Sequence, residues 1–124
     1  MRLLRPELLQ WYGLFGAALA WAGQHVVNIG AGLAHCTDAS RHWGMDIVTW
    51  TIVVSAIGLT FALLAEAAAI SVLLETRDAE YDGAPPAGRR HFFALAAALG
   101  NVLFIVAIIL NVVGALAATD CRQA

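Results

Sequence analysis

Four polar side chains interrupt an apolar stretch near the start of the chain, "WAGQHVVNIGAGLAHC" (21–36): Gln24, His25, Asn28 and His35. Carboxamides offer hydrogen bonds, whereas a neutral imidazole can either take part in a hydrogen bond or bind a metal. His25 is therefore a candidate haem ligand, because haem irons are commonly held by an axial histidine. The alternative is that His25 hydrogen-bonds a carbonyl group or Asn28.

Glu66 is the second group that could carry chemistry, since it also lies inside a long apolar stretch. A carboxyl group in hydrocarbon is costly unless it is paired or protonated. Either Glu66 stays neutral, hydrogen-bonded by Asn101 or by a partner subunit, or it relays protons in a small proton-coupled transporter or assembly factor. We expect the first, because one carboxyl group does not make a relay chain.

A third group of chemically active residues lies just after the first apolar stretch, in "HCTDASRHWGM" (35–45). His35, His42 and Met45 are of the types that bind copper, but a copper-A centre needs a second cysteine that this segment lacks. Cys36 and Cys121 are the two cysteines of the chain. We predict a disulfide between them, which would remove Cys36 from any metal site, so we expect no bound metal.

His25 also begins "HVVNIGAGLAHCTD" (25–38), which resembles the histidine-rich helix of the cytochrome b membrane anchors of succinate dehydrogenase. The resemblance implies a small three-helix anchor in which His25 ligates haem b. It covers this segment alone and needs a short gap. The segment lies in the first helix rather than the second, and the rest of the chain lacks that family's serine and arginine pattern for quinone.

The composition determines the class of protein that must position these groups. The 124 residues are 60% hydrophobic and 13% charged, against about 25% charged in soluble domains. Three apolar segments each exceed the ~20 residues needed to cross the hydrocarbon core of a bilayer, where open segments must be helical. The sequence therefore predicts an all-α integral membrane protein with one three-helix domain, 1–124. With no lysine and a net charge of −2, we expect no nucleic-acid partner.

The predicted transmembrane helices cover about 8–35, 46–75 and 91–118, joined by loops 36–45 and 76–90. Pro6 suits a first helical turn, Asp46 is suited to cap the second helix, and "DGAPPAG" (82–88) is predicted to be loop.

Small and polar residues recur every three or four positions in each predicted helix, as expected where membrane helices pack against one another. The polar members of this seam are Gln24, Asn28, Ser55, Glu66, Asn101 and Asn111, and Gly13, Ala17, Gly58 and Gly114 are small members. At a rise of ~1.5 Å per residue, Asn28, Ser55 and Asn111 lie at one depth, and Glu66 with Asn101 at another. We expect the seam to face inward and large residues such as Ile105, Ile109 and Val113 to face lipid or a partner.

The arginines predict the orientation. Five lie before the first helix or between the second and third (Arg2, Arg5, Arg77, Arg89 and Arg90), and two lie elsewhere (Arg41 and Arg122). Because cytoplasmic loops carry the excess of positive charge, the N-terminus and loop 76–90 are predicted to be cytoplasmic. Loop 36–45 and the C-terminus are then periplasmic, where a disulfide can form.

No nucleotide-binding or hydrolase motif is found in the sequence, and the predicted loops are too short to form a soluble domain. We therefore expect a non-catalytic accessory subunit of a larger complex in the bacterial inner membrane, in contact with lipid and with other subunits. A respiratory electron-transfer complex such as a terminal oxidase is the first expectation for the host. The haem b anchor and the proton-coupled transporter or assembly factor are the alternatives.

The predicted topology can be tested with reporter fusions at Gly83 and Ala124. We expect a cytoplasmic signal from Gly83 and a periplasmic signal from Ala124, because of the arginine distribution. A cytoplasmic signal from Ala124 would contradict three spans.

Overall fold

The computed structural model describes residues 5–37, 44, 46–79 and 85–117, and within these residues the chain forms three α-helices and no strand. Helix α1 spans Pro6–His35, α2 spans Ile47–Glu75 and α3 spans Ala87–Ala117. Each helix packs against the other two. Gly13 lies against Ala69 and Gln24 against Gly58, so α1 and α2 are antiparallel, and α3 returns parallel to α1.

Local sequence explains where the helices begin. Pro6 occupies the first turn of α1, where its missing N–H costs nothing. The Asp46 carboxylate caps α2 by accepting a hydrogen bond from the Thr49 backbone N–H at 3.0 Å, and this bond lowers the pKa of Asp46. Both predictions are confirmed.

Helix α3 begins earlier than the predicted residue 91. The Pro86 carbonyl accepts a hydrogen bond from the Arg90 backbone N–H at 3.1 Å, so the helix starts at Ala87, directly after the two prolines. Proline is disfavoured inside a helix but tolerated at its start. Residues 87–90, predicted to be loop, are therefore the first turn of α3.

The distribution of polarity is the reverse of that in a soluble protein. Large apolar side chains cover the surface; among the most exposed are Leu19, Val26, Leu33, Leu99 and Leu103. Polar side chains are buried between the helices, namely Gln24, Thr51, Ser55 and Asn101. Soluble monomers rarely expose apolar surface on this scale.

Two of the three described helices, α2 and α3, are long and apolar enough to cross a membrane. Helix α1 has 30 residues, equivalent to about 45 Å, but its amides and histidines make it less hydrophobic. Those polar groups face mainly inward, because Gln24 is buried while Phe15, Leu19 and Val26 are exposed.

Glycines set the spacing between α1 and α2. A Cβ atom added at Gly13 would lie 3.0 Å from the backbone nitrogen of Ala69, and one at Gly16 would lie 2.8 Å from the Cβ of Ala65. A Cβ at Gly58 would approach that of Gln24 to 3.1 Å. Small residues let membrane helices approach in this way.

Helix α3 departs from the predicted seam near its C-terminal end. Gly114 is exposed, and a Cβ there would meet no described atom within 4 Å, so its inward placement was wrong. Ile108 is buried among Ala17, Ala62 and Ala65, and Ile105, which was predicted to face outward, packs against the same cluster. Ile109 and Val113 are exposed as predicted. The large side chains of α3 fill the space that the small residues of α1 and α2 leave open.

The contact at Gly13 can be tested with Gly13→Ala. We expect a loss of about 1–3 kcal/mol of stability, because the methyl group meets the α2 backbone, which cannot move aside like a side chain. Thermal unfolding of the detergent-solubilised protein measures the change. Gly30→Ala, in the same helix, is the control, because a Cβ there meets no described atom within 4 Å. It should be neutral or stabilising by up to about 1 kcal/mol, and equal losses in both variants would refute the interpretation.

Candidate functional site: two buried polar clusters

Five polar side chains from all three helices meet in what we call the amide cluster: Gln24, His25 and Asn28 from α1, Ser55 from α2, and Asn111 from α3. Ser55 lies at its centre. The Ser55 hydroxyl oxygen accepts hydrogen bonds from Gln24 Nε2 at 3.0 Å and from Asn28 Nδ2 at 3.2 Å. These bonds link α1 to α2 through a buried hydroxyl group.

Asn111 brings α3 into the amide cluster. Its Nδ2 donates to Gln24 Oε1 at 3.2 Å and lies 3.0 Å from His25 Nδ1. The His25 ring also stacks on Trp21, with ring centroids 5.6 Å apart, and Trp21 lies against Phe104 of α3. The imidazole is thus held by an amide and by an aromatic ring.

The second cluster is what we call the Glu66 pair, formed by Glu66 of α2 and Asn101 of α3. The Asn101 amide lies beside the Glu66 carboxyl group, and Asn101 Nδ2 donates to the carbonyl oxygen of Gly13 at 2.9 Å. The Glu66 pair therefore also joins all three helices.

Two acceptor atoms in these clusters lack a hydrogen-bond partner among the described residues. They are Asn28 Oδ1 in the amide cluster and Glu66 Oε2 in the Glu66 pair, and both atoms are buried. An unpartnered buried acceptor is costly. For Glu66 Oε2, a proton on the carboxyl group would reduce that cost, because a neutral acid is easier to bury than a carboxylate.

Sequence reasoning missed Tyr12, one position before Gly13. Its hydroxyl donates to the Phe61 carbonyl of α2 at 2.8 Å, and its ring packs on the core. A tyrosine has an apolar ring and a polar tip that needs a partner when it is buried. The proximity of Tyr12 to a seam glycine was the available signal. A further link at the ends of the helices, Thr76 Oγ1 to His91 Nδ1 at 3.1 Å, was not predicted either.

Of the three candidate copper ligands, the described residues include only His35. His35 ends α1, while His42 and Met45 lie outside the described residues. Within the part of the chain that the structure describes, no group of three or more His, Cys, Asp or Glu side chains could hold a metal ion.

Only one of the two cysteines of the predicted disulfide lies within the described residues. Cys36 is not a free thiol, and Cys121 lies outside the described residues. The pairing of Cys36 with Cys121 therefore stays a prediction.

Comparisons of the chain with protein-family models, with curated proteins and with solved structures found no match.

Ser55→Ala tests the amide cluster, because it removes the hydroxyl that accepts from two amides. We expect a loss of about 1–3 kcal/mol, the cost of leaving buried donors unsatisfied, measured by thermal unfolding in detergent. Thr60→Val is the matched control in the same helix. The Thr60 hydroxyl is exposed and donates to the Ala56 carbonyl of its own helix, so its removal should cost less than about 0.5 kcal/mol. Equal effects would show that the Ser55 hydroxyl does not hold the helices together.

Proposed function

We propose that this chain is a non-catalytic, three-span accessory subunit of a larger complex in the bacterial inner membrane. A respiratory electron-transfer complex such as a terminal oxidase is the first host to test. The observation that supports the proposal most strongly is the reversed polarity, with amides buried and large aliphatic and aromatic side chains outside.

The reversed polarity extends to α1, the helix whose hydropathy alone does not identify it as a membrane span. Its exposed side chains include Phe15, Leu19, Val26 and Leu33, which suit an acyl-chain environment as well as those of α2 and α3 do. Gln24 and Asn28 are hydrogen-bonded to Ser55, so bringing α1 into a bilayer exposes neither amide donor to lipid. This supports α1 as a third span.

The contacts within the clusters favour a structural role over a catalytic one. Within the amide cluster the side chains hydrogen-bond to one another, namely Gln24, Asn28, Ser55 and Asn111. Polar residues join membrane helices in this way. Substrate binding would need such groups to be directed at a cavity. What remains for recognition is the apolar exterior, which fits lipid and the membrane-embedded surface of other subunits.

Charge supports the proposed orientation. Arg5, Arg77, Arg89 and Arg90 all lie at the end of the bundle where α1 and α3 begin and α2 ends, which we call the arginine end. The positive-inside rule assigns that end to the cytoplasm. Cys36 lies at the opposite end, where a periplasmic location would permit the disulfide with Cys121.

Site-specific photo-crosslinking in native membranes tests the subunit proposal. A photoreactive residue is placed in turn at an exposed position of each helix: Leu19, Leu64 and Leu103. We expect at least one position to crosslink to another protein, and the chain to comigrate with a larger complex in native electrophoresis. The buried position Ala62 is the control and should yield no intermolecular product. If all three positions crosslink to lipid alone and the chain migrates as a monomer in native electrophoresis, the subunit role is contradicted.

A second candidate function has one observation in its favour, the buried and unpartnered Oε2 of Glu66. A carboxyl group in that position could exchange a proton, as in a small proton-coupled transporter or assembly factor. Reconstituted vesicles with an internal pH dye would detect proton flux that Glu66→Gln abolishes. No Glu66-dependent flux is expected from an accessory subunit.

The haem alternative meets an obstacle at His25. When Asn111 Nδ2 donates to His25 Nδ1, a neutral ring carries its proton on Nε2. That nitrogen then has no lone pair for iron, whereas a ligating histidine normally donates a hydrogen bond from its other nitrogen. The optical spectrum of the purified chain distinguishes the cases, because a haem b anchor would show a Soret band that His25→Ala removes.

A further inference from the structure

A groove at the arginine end lies between the first turns of α1 and of α3, with a volume of about 660 Å³. The groove has an apolar part and a positively charged part. Trp11 and Phe15 of α1 and Phe93 of α3 form an apolar part, and Arg89 and Arg90 lie at the α3 start. Trp11 and Phe15 stack on each other, with ring centroids 5.7 Å apart, and both are about half exposed.

The charge of this groove is positive. It contains the two arginines and one acid, Glu7. Neither arginine forms an ion pair with a described residue, whereas Arg77, at the same end of the bundle, pairs with Asp78 at 3.8 Å. Their guanidinium groups can thus bind an anion, and guanidinium groups bind phosphate with good geometry.

From these features we infer that the groove is a binding site for one anionic glycerophospholipid of the cytoplasmic leaflet. The inference rests on the proposed membrane placement of the chain. The headgroup phosphate binds Arg89 and Arg90, and an acyl chain lies along Trp11, Phe15 and Phe93. Basic pockets between membrane helices on the cytoplasmic side bind anionic headgroups, and aromatic side chains are enriched at this depth.

Glu7 distinguishes the binding of an anionic headgroup from the binding of a zwitterionic one. With two arginines against one carboxylate, a headgroup of net negative charge is attracted. A zwitterionic headgroup could instead place its ammonium group on Glu7 and its phosphate on one arginine. The site we infer selects the anionic lipid, so neutralising Glu7 must strengthen binding, whereas the zwitterionic alternative requires it to weaken binding.

The test uses the full chain in detergent, titrated with phosphatidylglycerol or with phosphatidylethanolamine of the same acyl chains, and native mass spectrometry to count bound lipids. We expect one phosphatidylglycerol bound in preference. Arg89→Gln and Arg90→Gln should each weaken it by about fivefold, the effect of one basic residue near anionic lipid. Arg77→Gln is the matched control, an arginine at the same end outside the groove, and should have no effect. Glu7→Gln should tighten binding.

Several results would overturn the inference: equal binding of both lipids, an equal loss in Arg77→Gln, or weaker binding in Glu7→Gln. Glycerophosphoglycerol has the same headgroup but lacks acyl chains. If it competes with phosphatidylglycerol for the groove, the groove binds only the anion, and the inference is overturned as well. Quenching of Trp11 by a brominated acyl chain, measured as the difference from Trp11→Phe, should locate the lipid in the groove.

The failure of the lipid site can be distinguished from the failure of the proposed function. Alkaline carbonate extraction of native membranes reports insertion without reference to the groove. If the chain stays in the membrane but shows no lipid preference, the site is refuted and the membrane placement stands. If carbonate releases the chain, the membrane placement itself fails.

Discussion

The close approach of α1 to α2 is the constraint on which the rest of the structure depends. At Gly13 and Gly58 there is no room for a Cβ atom without displacing Ala69 or Gln24. Hydrogen bonds between the helices accompany these close contacts. Asn101 of α3 can reach the backbone carbonyl of Gly13, and Gln24 can reach Ser55, one turn from Gly58. Close packing and hydrogen bonding between helices therefore occur together here.

Polar residues inside an apolar bundle raise the free-energy cost of packing two helices in the wrong axial register. If α1 slid by one turn along α2, at most one of Gln24 and Asn28, which are themselves one turn apart, could still reach the Ser55 hydroxyl, and the other amide would lose its bond. Each such loss costs about 1–3 kcal/mol, which is large beside the total stability of a protein domain. The amide cluster and the Glu66 pair thus specify register at two depths. A bundle of leucine and alanine alone would pack but would select its register less strictly.

The polar groups of the interior are largely hydrogen-bonded to one another and the exterior is apolar, so the exterior is the surface left for contacts with other molecules. The hydrogen bonds of the amide cluster are made between helices of the same chain, so they contribute to the fold. The exterior is dominated by side chains such as Leu103 and Leu110, which are complementary to lipid and to other apolar helices. The groove near Arg89 and Arg90 is where positive charge and aromatic surface meet, so it differs in character from the aliphatic surface around it.

The sequence by itself determined the features that are local to one helix. Hydropathy and the spacing of small and polar residues predicted three helices, the inward faces of α1 and α2, and the shared depths of Ser55 with Asn111 and of Glu66 with Asn101, because helical rise and periodicity are fixed by backbone geometry. The start of α1 at Pro6 and the cap of α2 at Asp46 were equally local.

Only the tertiary structure decided which inward residues meet, because contacts between helices depend on the rotation and axial offset of each pair. Gly114 faces outward and Ile108 inward, which the spacing of α3 alone did not distinguish. The position of Asn111 against His25 Nδ1, and of Tyr12 against the Phe61 carbonyl, likewise follows from the offset that the glycine contacts impose. The pattern within one helix defines a face, whereas the partner of each side chain on that face is set by the neighbouring helix.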